Sequence, residues 1–179
     1  DNETFDKMLN PSFLSLNFQI SLPLGSYPIG QYSEFKVSSG CTSTVEGAYF
    51  FNPYVGVGGR IGVTRTSVIV NKVKAEDNVF DAWRISGGAY FSYPLSERWL
   101  VGSKLLAERV HYPDLQLTNY LIDSQHSFAF GTGLSLTFRA RQRYGIRLLL
   151  DYDLLPYRTQ GKRTCIHSLT LGSAFLITF

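Results

Sequence analysis

Eight charged residues recur among small polar neighbours at alternate positions of the chain: Glu46, Arg60, Arg84, Lys104, Glu108, Arg147, Asp151 and Asp153. Four are cations and four are anions. Groups of this kind on one enclosed surface can pair into a salt-bridge network that fills and stiffens an interior, or they can line a selective pore or a proton path. A lone charge withdrawn from water shifts its pKa or costs several kcal/mol, so mutual pairing is the first expectation.

Other reactive types are sparse. His111, His126 and His167 are too dispersed for a metal motif and read as solvated histidines near the loop ends of their strands. The clusters GVGG and GTG fall inside extended segments rather than between a strand and a helix, so they serve close backbone approach and not a phosphate cradle. No cofactor and no metal is expected. Lys and Arg number 17 against 14 acidic residues, scattered and giving a net charge of +3, which makes no case for nucleic acid. Cys41 and Cys165 have no CxxC spacing. They are either one disulfide tying the first long connection to the fourth or two free thiols.

The elements that must position these groups are strands. Aromatic residues reach 15% with a single Met, a composition suited to a pleated surface. No segment approaches the roughly 18 apolar residues of a membrane helix. Tight turns fall at Asn52-Pro53, at Pro94 to Arg98 and at Ala140 to Gln142. They alternate with longer polar stretches at about 25–40, 66–81, 110–125 and 155–166. Such alternation predicts four hairpins, hence an all-β, eight-stranded antiparallel up-and-down barrel with one trimmed and one elaborated end.

Strict alternation runs through Leu14, Leu16, Phe18, Ile20 and Leu22 against Ser15, Asn17, Gln19 and Ser21. It returns in Phe128 to Phe138, in Tyr144 to Leu154 and in the closing run LTLGSAFLITF. The polar face is Gly, Ala, Ser and Thr rather than the Lys and Glu of a water-facing wall, and the apolar face is too bulky for the lumen of eight strands. Small residues therefore point inward and bulky ones outward, toward lipid. In the fifth strand the same parity puts Leu100 and Leu106 inside together with Lys104. Phe51, Tyr54, Tyr93, Trp99, Phe138, Tyr144 and Phe179 gather at the short-turn level, the arrangement of an interfacial girdle.

With its terminal strand of alternating apolar residues and Phe last, the chain resembles the small eight-stranded outer-membrane β-barrels of Gram-negative bacteria from residue 11 to 179. The stretches YFFNPYVGVGGR and YGIRLLLDYDLLP are similar to barrel domains common in Bacteroidetes. The resemblance implies an outer-membrane location, short turns in the periplasm, long loops outside, residues 1–10 as a periplasmic tail, and recognition of the last strand by the barrel-assembly machinery. It implies outer-membrane lipid and lipopolysaccharide as surroundings. The functional expectation is a non-catalytic structural and interaction protein, including the role of accessory subunit in a larger outer-membrane complex. Two alternatives stand beside it: a lipid A modifying hydrolase, for which His126 points outward but Ser127 points inward and the His-x-Ser spacing is absent, and a narrow channel.

Overall fold

A computed structural model describes residues 11–25, 27–29, 33–70, 73–117, 120–141, 143–159 and 162–179. The tail expected over residues 1–10 lies outside them. Eight long strands follow one another: β1 (Phe13–Leu24), β2 (Gly40–Phe50), β3 (Val55–Val70), β4 (Val73–Pro94), β5 (Trp99–Tyr112), β6 (Gln125–Arg141), β7 (Tyr144–Thr159) and β8 (Lys162–Thr178). Each pairs antiparallel with its sequence neighbours, and β1 pairs with β8, so the eight-stranded wall closes on itself. The result is an eight-stranded, all-antiparallel β-barrel.

The register fixes the slope of the strands. Starting at Leu14 and stepping from partner to partner, the row passes through Gly47, Gly59, Gly87, Ala107, Phe130, Leu154 and His167, and returns to β1 at Leu24. One circuit climbs ten residues, from position 14 to position 24. A stagger of this size goes with strands tilted roughly 35–45° to the axis.

Burial reverses the rule of a soluble protein. In β1, Asn17 is fully buried at 0% exposure while its neighbour Phe18 is 58% exposed, and the alternation holds from Phe13 to Leu22. Leu100 and Leu106 on β5 are buried, on the same face as Lys104.

At one end the connections are tight. Asn52 Oδ1 accepts the backbone N–H groups of Tyr54 at 2.8 Å and Val55 at 2.9 Å, closing the β2–β3 turn as an Asx turn does. Ser96 Oγ accepts the N–H of Trp99 at 3.2 Å in the β4–β5 turn. At the other end, two of the four stretches expected as long polar connections are continued strand. β3 and β4 stay paired as far as Val70 and Val73, and β7 and β8 as far as Thr159 and Lys162. Polar composition did not end pairing there, because β-branched Thr64, Thr66, Val68, Ile69 and Val70 favour a ladder whether or not lipid covers it. The first connection begins at Gly25, whose φ of 124° stops β1, and it contributes the strand Ser33–Val37 to the upper edge of β3. The third holds a small hairpin, Leu115–Leu117 with Tyr120–Ile122.

Candidate functional site

The lumen is layered. Toward the short turns Phe13, Ala48, Phe50, Tyr90 and Leu176 form an apolar cluster with Leu106, and Phe13 and Tyr90 meet edge to face at 6.0 Å. Toward the long connections Ala82, Val110, Tyr112, Tyr157 and Ile166 are buried, with the rings of Tyr112 and Tyr157 crossed at 84° and 4.9 Å apart. Between these layers lie the charges.

All eight charged residues singled out from the sequence point inward and are buried. Arg60 on β3 is the hub. Its Nη1 donates to Asp151 Oδ2 at 3.0 Å, its Nη2 to Asp153 Oδ1 at 2.8 Å, and its Nε to Glu108 Oε1 at 3.1 Å. Arg84 donates to Asp153 at 2.7 Å and lies 3.8 Å from Glu108. Lys104 joins Glu46 at 2.7 Å to Asp151 at 3.1 Å. Arg147 sits 3.9 Å from Glu46, donates from Nε to Thr137 at 2.9 Å and places its guanidinium 3.7 Å from the centre of the Phe13 ring.

Neutral groups complete the shell. Gln19 donates to Asp151 at 3.0 Å and Tyr90 to Glu46 at 3.1 Å. The glycines of GTG have a spatial cause here. A Cβ on Gly131 would lie 2.5 Å from Asp153 Oδ1, and one on Gly133 would lie 2.1 Å from Asp151 Oδ1. β6 therefore yields its inward space to carboxylates of β7, and the network bridges strands that share no backbone ladder.

Sequence reasoning missed one buried inward charge. Arg139 is buried on the inward face at the short-turn end of β6, giving five lumen cations against four anions among the described residues. Its signal was present in the parity of Thr137 and Phe138, and its closeness to the turn obscured it.

Cavities in the lumen are small. One of about 30 Å³ is bordered by Phe13, Glu46, Tyr90 and Lys104, and one of about 40 Å³ by Thr64, Arg84, Val110 and Ile166. Either has room for a water or two and not for a hydrated ion stream.

The outer wall carries the aromatic residues expected in the girdle. Phe51, Tyr54, Tyr93, Trp99, Tyr144 and Phe179 are exposed and Phe138 partly so. Tyr54 faces Tyr93 at 6.3 Å, Trp99 lies 4.9 Å from Phe138, and Tyr144 stacks with Phe175 at 6.0 Å. Higher on the wall, His111 and His126 are cross-strand partners with rings 4.5 Å apart, and the Tyr152 hydroxyl bonds Nδ1 of His167. Exposed His126 and half-buried Ser127 alternate across the wall of β6, so no nucleophile and base pair arises from them.

The disulfide weighed for Cys41 and Cys165 is absent: both are free and exposed. Cys41 is level with Ile20 on one flank of β1, whereas Cys165 lies two residues beyond His167, the partner of Leu24, on the other. Two inter-strand spacings of about 4.8 Å already exceed the reach of a disulfide, before the offset along β1 is added.

No protein-family model matches this sequence, and no curated protein matches it. Solved structures do. Neisserial surface protein A is 13% identical with a TM-score of 0.61, covering 94% of this chain and 97% of that one. The outer membrane protein OprG from Pseudomonas aeruginosa is 8% identical with a TM-score of 0.65, covering 97% and 99%. The attachment invasion locus protein of Yersinia pestis is 16% identical with a TM-score of 0.54, covering 92% and 97%. The chain has the fold of small eight-stranded outer-membrane β-barrels.

Proposed function

We propose that this chain is an integral outer-membrane barrel without catalytic activity that acts as a structural and interaction protein, including as an accessory subunit of a larger outer-membrane complex. The carrying observation is the contrast across one sheet: a lumen filled by paired charges between two apolar layers, inside a wall whose exposed side chains are Leu, Ile, Phe and Tyr. Such a wall suits an apolar solvent, and a lumen filled in this way supports a plug of paired side chains over a wide aqueous pore.

In this reading the girdle and short turns face the periplasm, and the extended β3–β4 and β7–β8 hairpins stand outside the cell. Specificity then resides in those hairpins and in the connections beside them, as it commonly does for loops on a rigid scaffold. The stretches YFFNPYVGVGGR and YGIRLLLDYDLLP support a Bacteroidetes-like origin. In this reading β8 is the segment offered to the assembly machinery.

The test has three arms on protein refolded into lipid vesicles. Heat-sensitive gel migration and resistance to carbonate extraction are expected, as are silent planar bilayers and unchanged acylation of added lipid A. A chain that remained monomeric in water without surfactant would overturn the membrane reading. Steady unit conductance would replace it with a channel, and loss of acyl chains from lipid A with a hydrolase. Mild-detergent isolation from the native envelope, with reciprocal recovery through the partner, tests the accessory role.

A further inference from the structure

The chain has only three histidines, yet two of them meet. The third connection separates His111 from His126 along the sequence, and antiparallel pairing of β5 with β6 sets them directly opposite one another. Their ring centres are 4.5 Å apart, with the planes inclined at 38°. Chain spacing hides such a pair, because a cross-strand site needs matched register and no short motif. The third histidine, His167 on β8, is engaged elsewhere: its Nδ1 bonds the Tyr152 hydroxyl.

Imidazole nitrogens bind transition metals at about 2.0–2.1 Å, which sets each ring centre roughly 3.2 Å from the ion. Two rings bound at a right angle then lie about 4.5 Å apart, whereas tetrahedral ligation spreads them to about 5.2 Å. The observed separation therefore fits one corner of a square-planar or tetragonal site, the preference of Cu²⁺ and Ni²⁺. Nδ1 of His111 is buried and has no hydrogen-bond partner among the described residues. Buried polar atoms left in this way are few in native folds, and coordination of an ion is one arrangement that resolves them.

Depth gives the pair access to water. Trp99 stands in the girdle, and His111 follows twelve residues later on the same strand. That is about 40 Å of strand, or about 30 Å along the axis at a tilt of roughly 40°. The apolar band of such a barrel is about 25 Å tall, so the two imidazoles sit at its margin, on the side away from the girdle. His126 is exposed and His111 half-buried.

The donor set also selects the ion. Among the described residues no third His, Cys, Asp or Glu completes a cluster with the pair, and the Asp114 carboxylate accepts the N–H of Ser124. The next outward positions are Arg109 on β5 and Phe128 on β6, and Trp83 of β4 pairs in register with His111. Two imidazoles beside a guanidinium and two aromatic rings offer nothing to Mg²⁺ or Ca²⁺, which take oxygen ligands. Copper stands highest in the affinity order for nitrogen donors.

We infer that His111 and His126 form a copper(II) site on the outer face of the barrel, at the root of the third connection, with water in the remaining coordination positions. The ion staples β5 to β6 beside the point where the small hairpin Leu115–Leu117 with Tyr120–Ile122 leaves the wall. The site shares no residue with the lumen network, and it adds capture of a metal to the structural role proposed above.

The test is titration of Cu²⁺ into the folded, untagged protein in micelles, with the exposed thiols of Cys41 and Cys165 alkylated so that they neither bind nor reduce the metal. Electron paramagnetic resonance reads the number of bound nitrogens. One ion per chain with two imidazole nitrogens is expected, undisturbed by excess Mg²⁺. His111→Ala and His126→Ala should each leave one nitrogen and lower copper affinity about a hundredfold, the low end of what joining two ligands on one frame contributes. His167→Ala should bind as the parent does. Copper should slow urea unfolding of the parent and of neither pair variant.

Parent-like affinity in both His111→Ala and His126→Ala would overturn the site, as would a parent spectrum showing a single nitrogen or displacement of the copper by Mg²⁺. Gel migration verifies folding of each variant before titration, and where a variant fails to fold the nitrogen count of the parent decides. Each of these failures leaves membrane insertion and the function proposed above standing.

Discussion

Lumen and outer wall are built from the same strands, yet each follows the solvent rule that the other breaks. On β7, Arg147, Asp151 and Asp153 are buried while Leu148 and Leu150 between them are exposed. A buried ion is tolerable only when every partner is in place, whereas an exposed leucine needs only hydrocarbon around it. The lumen therefore depends on particular pairings and the wall on average character. Substitution should be punished residue by residue inside and by polarity and depth outside.

The sharpest break of this contrast is Arg60→Leu, which strands Glu108, Asp151 and Asp153 without their shared cation. A loss of about 3–5 kcal/mol is expected, read by urea unfolding in lipid vesicles, and Arg60→Lys should recover only part of it because an ammonium lacks the fork. On the wall, Leu148→Arg should cost about 2–4 kcal/mol in the same assay, and Leu148→Phe close to nothing. Gly133→Ala drives a methyl group against the Asp151 carboxylate and the Lys104 stem, with about 1–3 kcal/mol lost. The smallest effect belongs to Arg65→Ala. Its pairing with Asp81 is open to solvent, and the melting temperature should not move measurably. Equal sensitivity of Arg60 and Arg65 would erase the distinction between the two regions.

Legibility in the sequence followed the same division. The outward rows of β1, β6, β7 and β8 could be read directly, because one parity is bulky and the other small over many residues. Even β5, where Leu100 and Leu106 share a face with Lys104, kept its parity through Trp99, Val101 and Leu105 on the other face. Which charge meets which could not be read. Arg60 and Asp153 lie far apart in the chain and on strands with no common ladder, and only the slope of the closed sheet brings them together. Strand ends were also obscure. Above the lipid-facing zone nothing demands an apolar face, so alternation fades while hydrogen bonding continues to Val70 and Val73. The cysteine pairing failed on the same slope, since the climb around the barrel separates Cys41 from Cys165 along β1.

The cross-lumen reach of Arg60 also ties the interior to closure of the whole sheet. Two of the four interior carboxylates arrive on the penultimate strand. β1 to β6 carry Arg60, Arg84, Lys104 and Arg139 against Glu46 and Glu108, and β7 adds Arg147 together with Asp151 and Asp153. The interior pairings are therefore complete only in the closed sheet, and no hairpin taken alone could bury its own charges.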